Sequence, residues 1–289
     1  CSFHQNSKFW TKEKILKENI IKKKNKVEEI FKEEQALSLE LNPKLKISLY
    51  TKPINKSFFN NFDNNNGRIN YAGKLKKISK YKFSKINNFE YYELELIFDN
   101  NNIFFFDKTG SIIKFDSNSD IIWKKNYYNK QEKKLRPVLT LAKNFETLVV
   151  ADNLSKYYAI DLKNGELLWS RYNQSPFNSQ IKTYKDMFFV IDFKNVLRCI
   201  SIKDGTELWN VKGNNTFIKS QKKLSIVVVN ESLYYNDTSG NITAININNG
   251  DMLWQTPTQN TTIYEDTFLL KNSNIVSNNK MIIFSNNKN

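Results

Sequence analysis

The sequence is poor in the residues that most catalytic and cross-linking devices need. It holds one histidine, His4, and two cysteines, Cys1 and Cys199, in 289 residues. A single histidine excludes histidine-rich metal sites and Ser-His-Asp catalysis. Two cysteines so far apart make no disulfide framework, and Cys199, inside an apolar stretch, reads as a small buried hydrophobe. There is no CxxC pair, no glycine-rich phosphate loop and no HExxH. No apolar run approaches about eighteen residues, so no membrane-crossing helix is expected. Glycine (8) and proline (5) are scarce, which excludes collagen-like or low-complexity chain.

What is present suits a folded, β-rich protein: 40% hydrophobic and 14% aromatic residues. One stretch recurs. Tyr157-Tyr-Ala-Ile-Asp-Leu-Lys-Asn-Gly-Glu-Leu-Leu-Trp169 returns as Leu197 to Trp209 and as Ile242 to Trp254, with a worn copy from Gly110 to Trp123. The tryptophans are 46, 40 and 45 residues apart. That period accommodates one four-stranded blade and points to a propeller or solenoid. Within a copy, Tyr158 to Leu162 reads as a strand, Asn164-Gly165 as the reversal and Glu166 to Trp169 as the return strand. Asp204-Gly205 and Asn249-Gly250 are the corresponding turns. Asp161 precedes its turn and is placed to accept from the turn backbone; Ser201 and Asn246 stand there in the later copies. Each terminal indole brings an area large enough to dock between neighbouring sheets.

The order Ala159, Asp161, Asn164, Gly165, Trp169 resembles the tryptophan-docking motif of quinoprotein-type (PQQ-like) β-propellers. Ala244, Gly250 and Trp254 repeat it with Asn246 in the Asp place. Gly205 and Trp209 repeat it with Cys199 and Ser201 for Ala and Asp, and Trp123 ends a copy without the glycine. The resemblance covers roughly residues 67–289. It implies an all-β propeller of four-stranded blades, five or six of them visible, where the resembling lipoproteins have eight. It does not imply an activity, since many members bind no quinone. Quinoprotein dehydrogenases use adjacent cysteines, a stacking Trp and a calcium site. This chain has no adjacent cysteines, and its tryptophans occupy docking positions. No catalytic residue, metal or cofactor is therefore expected.

The charge of +15 is uneven. Residues 1–80 hold 18 Lys+Arg and 8 Asp+Glu, and the remainder holds 26 and 21. No recognition motif accompanies the charge, so a nucleic-acid partner is not expected; attraction of the first 80 residues to anionic lipid headgroups is. The first residue is Cys1, which suggests a processed bacterial lipoprotein with the lipid on that cysteine, at the periplasmic face of the outer membrane. Residues 1–44 read as a tether whose Lys12 to Glu34 section is a basic amphipathic helix or a charged stalk. Residues 45–289 read as the propeller, with Arg68 to Phe83 a degenerate blade lacking its Trp. Ile103 to Phe106, Leu148 to Ala151, Met187 to Ile191 and Ile226 to Val229 are runs suited to inner strands. Met281 to Phe284 reads as a strand of a further repeat whose Trp would fall beyond residue 289. Either later blades are missing, or an N-terminal strand completes the last one.

Three functions stay open. The first is a non-enzymatic scaffold resembling the propeller lipoprotein of the outer-membrane β-barrel assembly machinery. It would bind assembly proteins through rim loops, with Lys130–Arg136 and Tyr172–Asn178 as candidates. The second is a quinone-dependent oxidoreductase, and the third a carbohydrate-binding or sensor propeller.

Overall fold

The computed structural model describes residues 77, 79–82, 96–99, 101–213, 223–238, 240–258, 274–277 and 281–285. All lie in the second of the chain's two compact units, Lys52–Asn289. Cys1, the tether, the Lys12 to Glu34 segment and most of Arg68 to Phe83 lie outside the described residues.

Four antiparallel sheets follow one another, each with its strands in chain order. Blade 1 holds β1 (Ile97–Asp99), β2 (Asn102–Phe106), β3 (Ile112–Phe115) and β4 (Ile121–Lys125). A short helix, α1 (Lys130–Lys134), leads to blade 2: β5 (Leu139–Asn144), β6 (Thr147–Asp152), β7 (Lys156–Asp161) and β8 (Leu167–Tyr172). Blade 3 is β9 (Lys182–Tyr184), β10 (Met187–Ile191), β11 (Val196–Ser201) and β12 (Glu207–Lys212). Blade 4 is β13 (Ile226–Val229), β14 (Ser232–Asn236), β15 (Asn241–Asn246) and β16 (Met252–Pro257). A fifth sheet contributes β17 (Val276–Ser277) and β18 (Ile282–Ile283). The architecture is a β-propeller of four-stranded blades.

Burial explains the order of the strands. The second and third strands of each blade are nearly closed to solvent, and the fourth is open: β7 is buried at five of six positions, β8 at none. The apolar runs expected inside are β2, β6 and β10; the fourth, Ile226–Val229, is instead the first strand of its blade, β13. Two faces of side chains from neighbouring sheets interdigitate, so Tyr157, Phe177, Phe188 and Trp169 form one aromatic seam between blades 2 and 3. Such contacts exclude water from large apolar areas, the main force holding blade to blade.

Every complete blade carries the same irregularity. The register between third and fourth strands slips at Lys114/Phe115, Ala159/Ile160, Cys199/Ile200 and Ala244/Ile245. A β-bulge sets two residues against one and increases local twist. Here it aligns each Trp across from a named partner: Trp123 with Lys114, Trp169 with Ala159, Trp209 with Cys199 and Trp254 with Ala244. The small Ala or Cys of the motif is therefore the residue directly beneath the indole's strand position.

Candidate functional site

The repeated residues build the seams between blades. The turn after β7 is closed by Gly165 N donating to Asp161 O at 2.9 Å. Asp161 Oδ1 accepts from Lys163 N at 2.7 Å and Asn164 N at 3.0 Å. Asn246 Oδ1 takes the N–H of Asn248 at 2.9 Å in the same way. The side-chain oxygen thus satisfies turn donors that would otherwise face only solvent. Gly205 has φ +73, and an added Cβ would lie 2.6 Å from the Trp169 ring. Glycine is required there twice, for the left-handed backbone and for the close approach of the indole. Gly165 meets Trp123 and Gly250 meets Trp209 in the same manner. In blade 1, where the motif has lost its glycine, Ser119 adopts φ 77 instead.

The indoles also bond across the seams. Trp123 Nε1 donates to Lys163 O at 3.1 Å and Trp169 Nε1 to Ile202 O at 2.7 Å. Trp209 Nε1 is buried without a hydrogen-bond partner. Trp254 is 43% exposed and meets Tyr234 of its own blade at 5.9 Å. Lys114, the odd residue opposite Trp123, sends its ammonium to Leu162 O at 2.9 Å and so serves the same seam.

A residue absent from the sequence motif joins the set. Tyr81 donates to Asp116 O at 3.2 Å and stands edge-on to Phe115 at 5.3 Å. It touches the last turn of blade 1 as Trp123 touches that of blade 2. Its distance of 42 residues from Trp123 is within the repeat period.

A second repeated residue was legible and missed. Asp107, Asp152, Asp192 and Asp237 each open the turn between second and third strands. They precede the tryptophans by 16, 17, 17 and 17 residues, a spacing that could have revealed them. Each is buried and each accepts a backbone N–H from its own turn. Their remaining oxygens differ. Asp107 Oδ2 meets Lys124 Nζ at 2.7 Å, Asp152 Oδ2 accepts from Tyr128 Oη at 2.6 Å, and Asp192 Oδ2 meets Arg198 at 3.0 Å. Burial would raise the Asp107 carboxyl, but Lys124 and the turn donors outweigh it and hold it at about 2. Burial of Asp152 prevails over Tyr128 and its backbone donors, so that carboxyl is raised.

The two rim loops singled out in the sequence differ. Lys130–Arg136 is α1 with its C-terminal exit, fixed by a capping box between Asn129 and Glu132. Glu132 also accepts from Tyr172 Oη at 2.7 Å and lies 3.8 Å from Lys156 Nζ. Burial works against the Glu132 carboxylate, but the Asn129 N–H, the Tyr172 hydroxyl and Lys156 hold it below its ordinary value. Leu135 at the end of this strap is 64% exposed. Tyr172–Asn178, by contrast, turns inward: Tyr172 is exposed, but Ser175, Phe177 and Asn178 are buried. Among the described residues no three His, Cys, Asp or Glu side chains form a group able to hold a metal ion. Cys199 is buried, and burial raises its thiol to about 12, far from a reactive thiolate.

The perimeter carries a further regularity. At each bulge one residue has no cross-strand counterpart: Ile122, Leu168, Leu208 and Leu253. All four are aliphatic, and their exposures are 50, 53, 51 and 52%. Among the described residues no strand pairs with the outer edge of β4, β8, β12 or β16.

Residues 108–289 match the family described as outer membrane protein assembly factor BamB. The chain belongs to that family. Its fold is similar to the crystal structure of BamB from Moraxella catarrhalis, with a TM-score of 0.55 at 14% identity over 66% of this chain and 57% of that one. It is also similar to the computationally designed protein Ika8, with a TM-score of 0.52 at 13% identity over 65% and 54%. The chain thus spans a little over half the length of each. A quinohemoprotein alcohol dehydrogenase from Pseudomonas putida is more distant, at a TM-score of 0.45, 13% identity and coverage of 57% and 34%. The first two likenesses show the propeller fold alone. No curated protein matches the sequence.

Proposed function

We propose that the chain is a non-enzymatic scaffold, lipid-anchored through Cys1 at the periplasmic face of the outer membrane, that holds protein partners in outer-membrane protein assembly. Family membership supports the class of process. The observation that carries the contact surface is the row of bulge residues Ile122, Leu168, Leu208 and Leu253, one per blade, half-exposed beside unpaired strand edges. A bulge needs an extra residue but does not need that residue to be aliphatic, and an exposed apolar side chain is an unfavourable choice four times over. An incoming strand or loop could cover these side chains and bond to the adjoining edge, as in strand addition.

Purified protein and the isolated periplasmic domains of the barrel-forming assembly protein provide the test. A Leu168→Asp, Leu208→Asp double variant is expected to lose about tenfold or more in affinity while melting like the parent. Undiminished binding by a folded double variant would sink the reading.

A further inference from the structure

Among the described residues the two ends of the propeller differ in charge. In each antiparallel blade, the turns joining first to second and third to fourth strands fall at one end, the hairpin end. The remaining turn and the link to the next blade fall at the other, the connector end. Each complete blade sets two carboxylates in its hairpin-end turns, from Asp116 and Asp120 in the first to Glu231 and Asp251 in the last. Only Lys163, Lys185 and Lys203 oppose them in those turns. The connector end is reversed. Lys108, Lys130, Lys134, Arg136 and Lys194 are exposed there. Its acids are withdrawn: Asp107, Asp192 and Asp237 are buried in their own turns, and Glu132 is engaged by Tyr172 and Asn129.

We propose that the connector end seats the propeller on an anionic lipid surface. Three of the exposed bases sit on the strap between blades 1 and 2, and the other two, Lys108 and Lys194, lie in the second-to-third-strand turns of blades 1 and 3. A continuous planar sheet of negative charge meets all of them at once; a compact acidic patch on a protein meets only some. The carboxylates of the hairpin end are repelled by the same surface, so the charge fixes an orientation as well as an attraction. Leu135 stands between Lys134 and Arg136 at the tip of the capped strap, 64% exposed. An apolar side chain flanked by bases is the pattern that enters the headgroup layer while its neighbours bind phosphate. The outer strands then face sideways, along the membrane. The proposal goes beyond the scaffold reading and does not need it.

The full chain has its own basic first 80 residues, so the test must separate end from tail. Lys108→Glu, Lys134→Glu, Lys194→Glu is compared with Lys163→Glu, Lys185→Glu, Lys203→Glu, which changes total charge equally at the opposite end. Partition is measured on phosphatidylcholine vesicles with and without about one-third phosphatidylglycerol. The connector-end variant is expected to lose about tenfold or more in partition to the anionic vesicles, and the hairpin-end variant less than about twofold. If reversal unfolds the chain, the Lys→Gln versions of both triples replace it. Equal losses in the two variants would mean that net charge or the tail does the binding, and would overturn the proposal. So would a connector-end variant that partitions like the parent. Should that variant keep its partition but lose affinity for the periplasmic assembly domains, the surface belongs to an acidic protein, and the lipid assignment is again overturned.

Discussion

The indole of Trp169 reaches across the seam between blades 2 and 3 and donates to Ile202 O at 2.7 Å, with Gly205 lying flat against its ring. One residue of blade 2 thereby reads both the sequence and the backbone shape of the turn in blade 3. Gly205→Ala has to pay for a left-handed alanine and for a Cβ within 2.6 Å of the ring. The expected loss is about 2–4 kcal/mol, combining the backbone and overpacking terms. It would be measured by denaturant unfolding with intrinsic tryptophan fluorescence.

Trp169 and Trp254 occupy the same motif position in unlike surroundings. Trp169→Phe removes an interblade hydrogen bond and part of a packed ring, and is expected to destabilise by about 1–3 kcal/mol. Trp254, at 43% exposure, is expected to tolerate the same change at a cost below about 1 kcal/mol. Equal losses would show that exposure does not separate the two seams.

Tyr81 acts as a docking aromatic on blade 1 through its bond to Asp116 O and its edge-on contact with Phe115. Tyr81→Phe is expected to cost about 1 kcal/mol by leaving the hydrogen bond unmade. Tyr81→Trp should retain most of the stability, since an indole serves the equivalent place elsewhere in the ring. A tryptophan that destabilises more than alanine would refute the equivalence.

Two equivalent aspartates are expected to give opposite pH responses. The Asp107 carboxyl is held at about 2, below its ordinary 3.8, so the unfolded chain takes up that proton first as acid is added. Its stabilisation is present above about pH 4 and fades between there and about pH 2. The Asp152 carboxyl is raised, so the folded chain holds that proton more tightly and its ionisation costs stability as pH rises past the ordinary value. Thermal melts across this range should show a shallower acid loss in Asp107→Asn. Asp152→Asn should gain at neutral pH relative to acid. Parallel profiles for the two variants would contradict both assignments.

Much of this architecture was legible because blade chemistry repeats. The Asn-Gly turns and the Asp161 side chain act within a few residues, and the Trp recurs at a nearly constant interval, so the sequence displays all three directly. Three features were hidden for physical reasons. Tyr81 substitutes for Trp by shape and hydroxyl, which a search for Trp passes over. The buried aspartates were masked because acids at turns are common and only their fixed offset from the Trp marks them. The bulge residues look like strand interior in the sequence, since Leu167-Leu168-Trp169 reads as one apolar run. Only the slipped register against Ala159 and Ile160 leaves Leu168 without a cross-strand partner on the exposed outer strand. The rim loop Tyr172–Asn178 looked polar enough for a surface, yet Phe177 at 6% exposure draws it inward.

The joints are not equal in strength. Between blades 1 and 2, Trp123 and Lys114 both bond to the facing turn; between blades 2 and 3, Trp169, Tyr157 and Arg171 do. Between blades 3 and 4 the indole of Trp209 is buried with its nitrogen unmatched, while Gln180 and Asn178 tie the links nearer the axis to Leu224. Among the described residues, blade 4 is thus bonded to blade 3 at its inner side, while the Trp209 indole meets it at the outer side by packing. Under mechanical load or mild denaturant, amide protons of its outer strands should be the first to exchange, so that the array loosens from this edge as a fan does and not all at once.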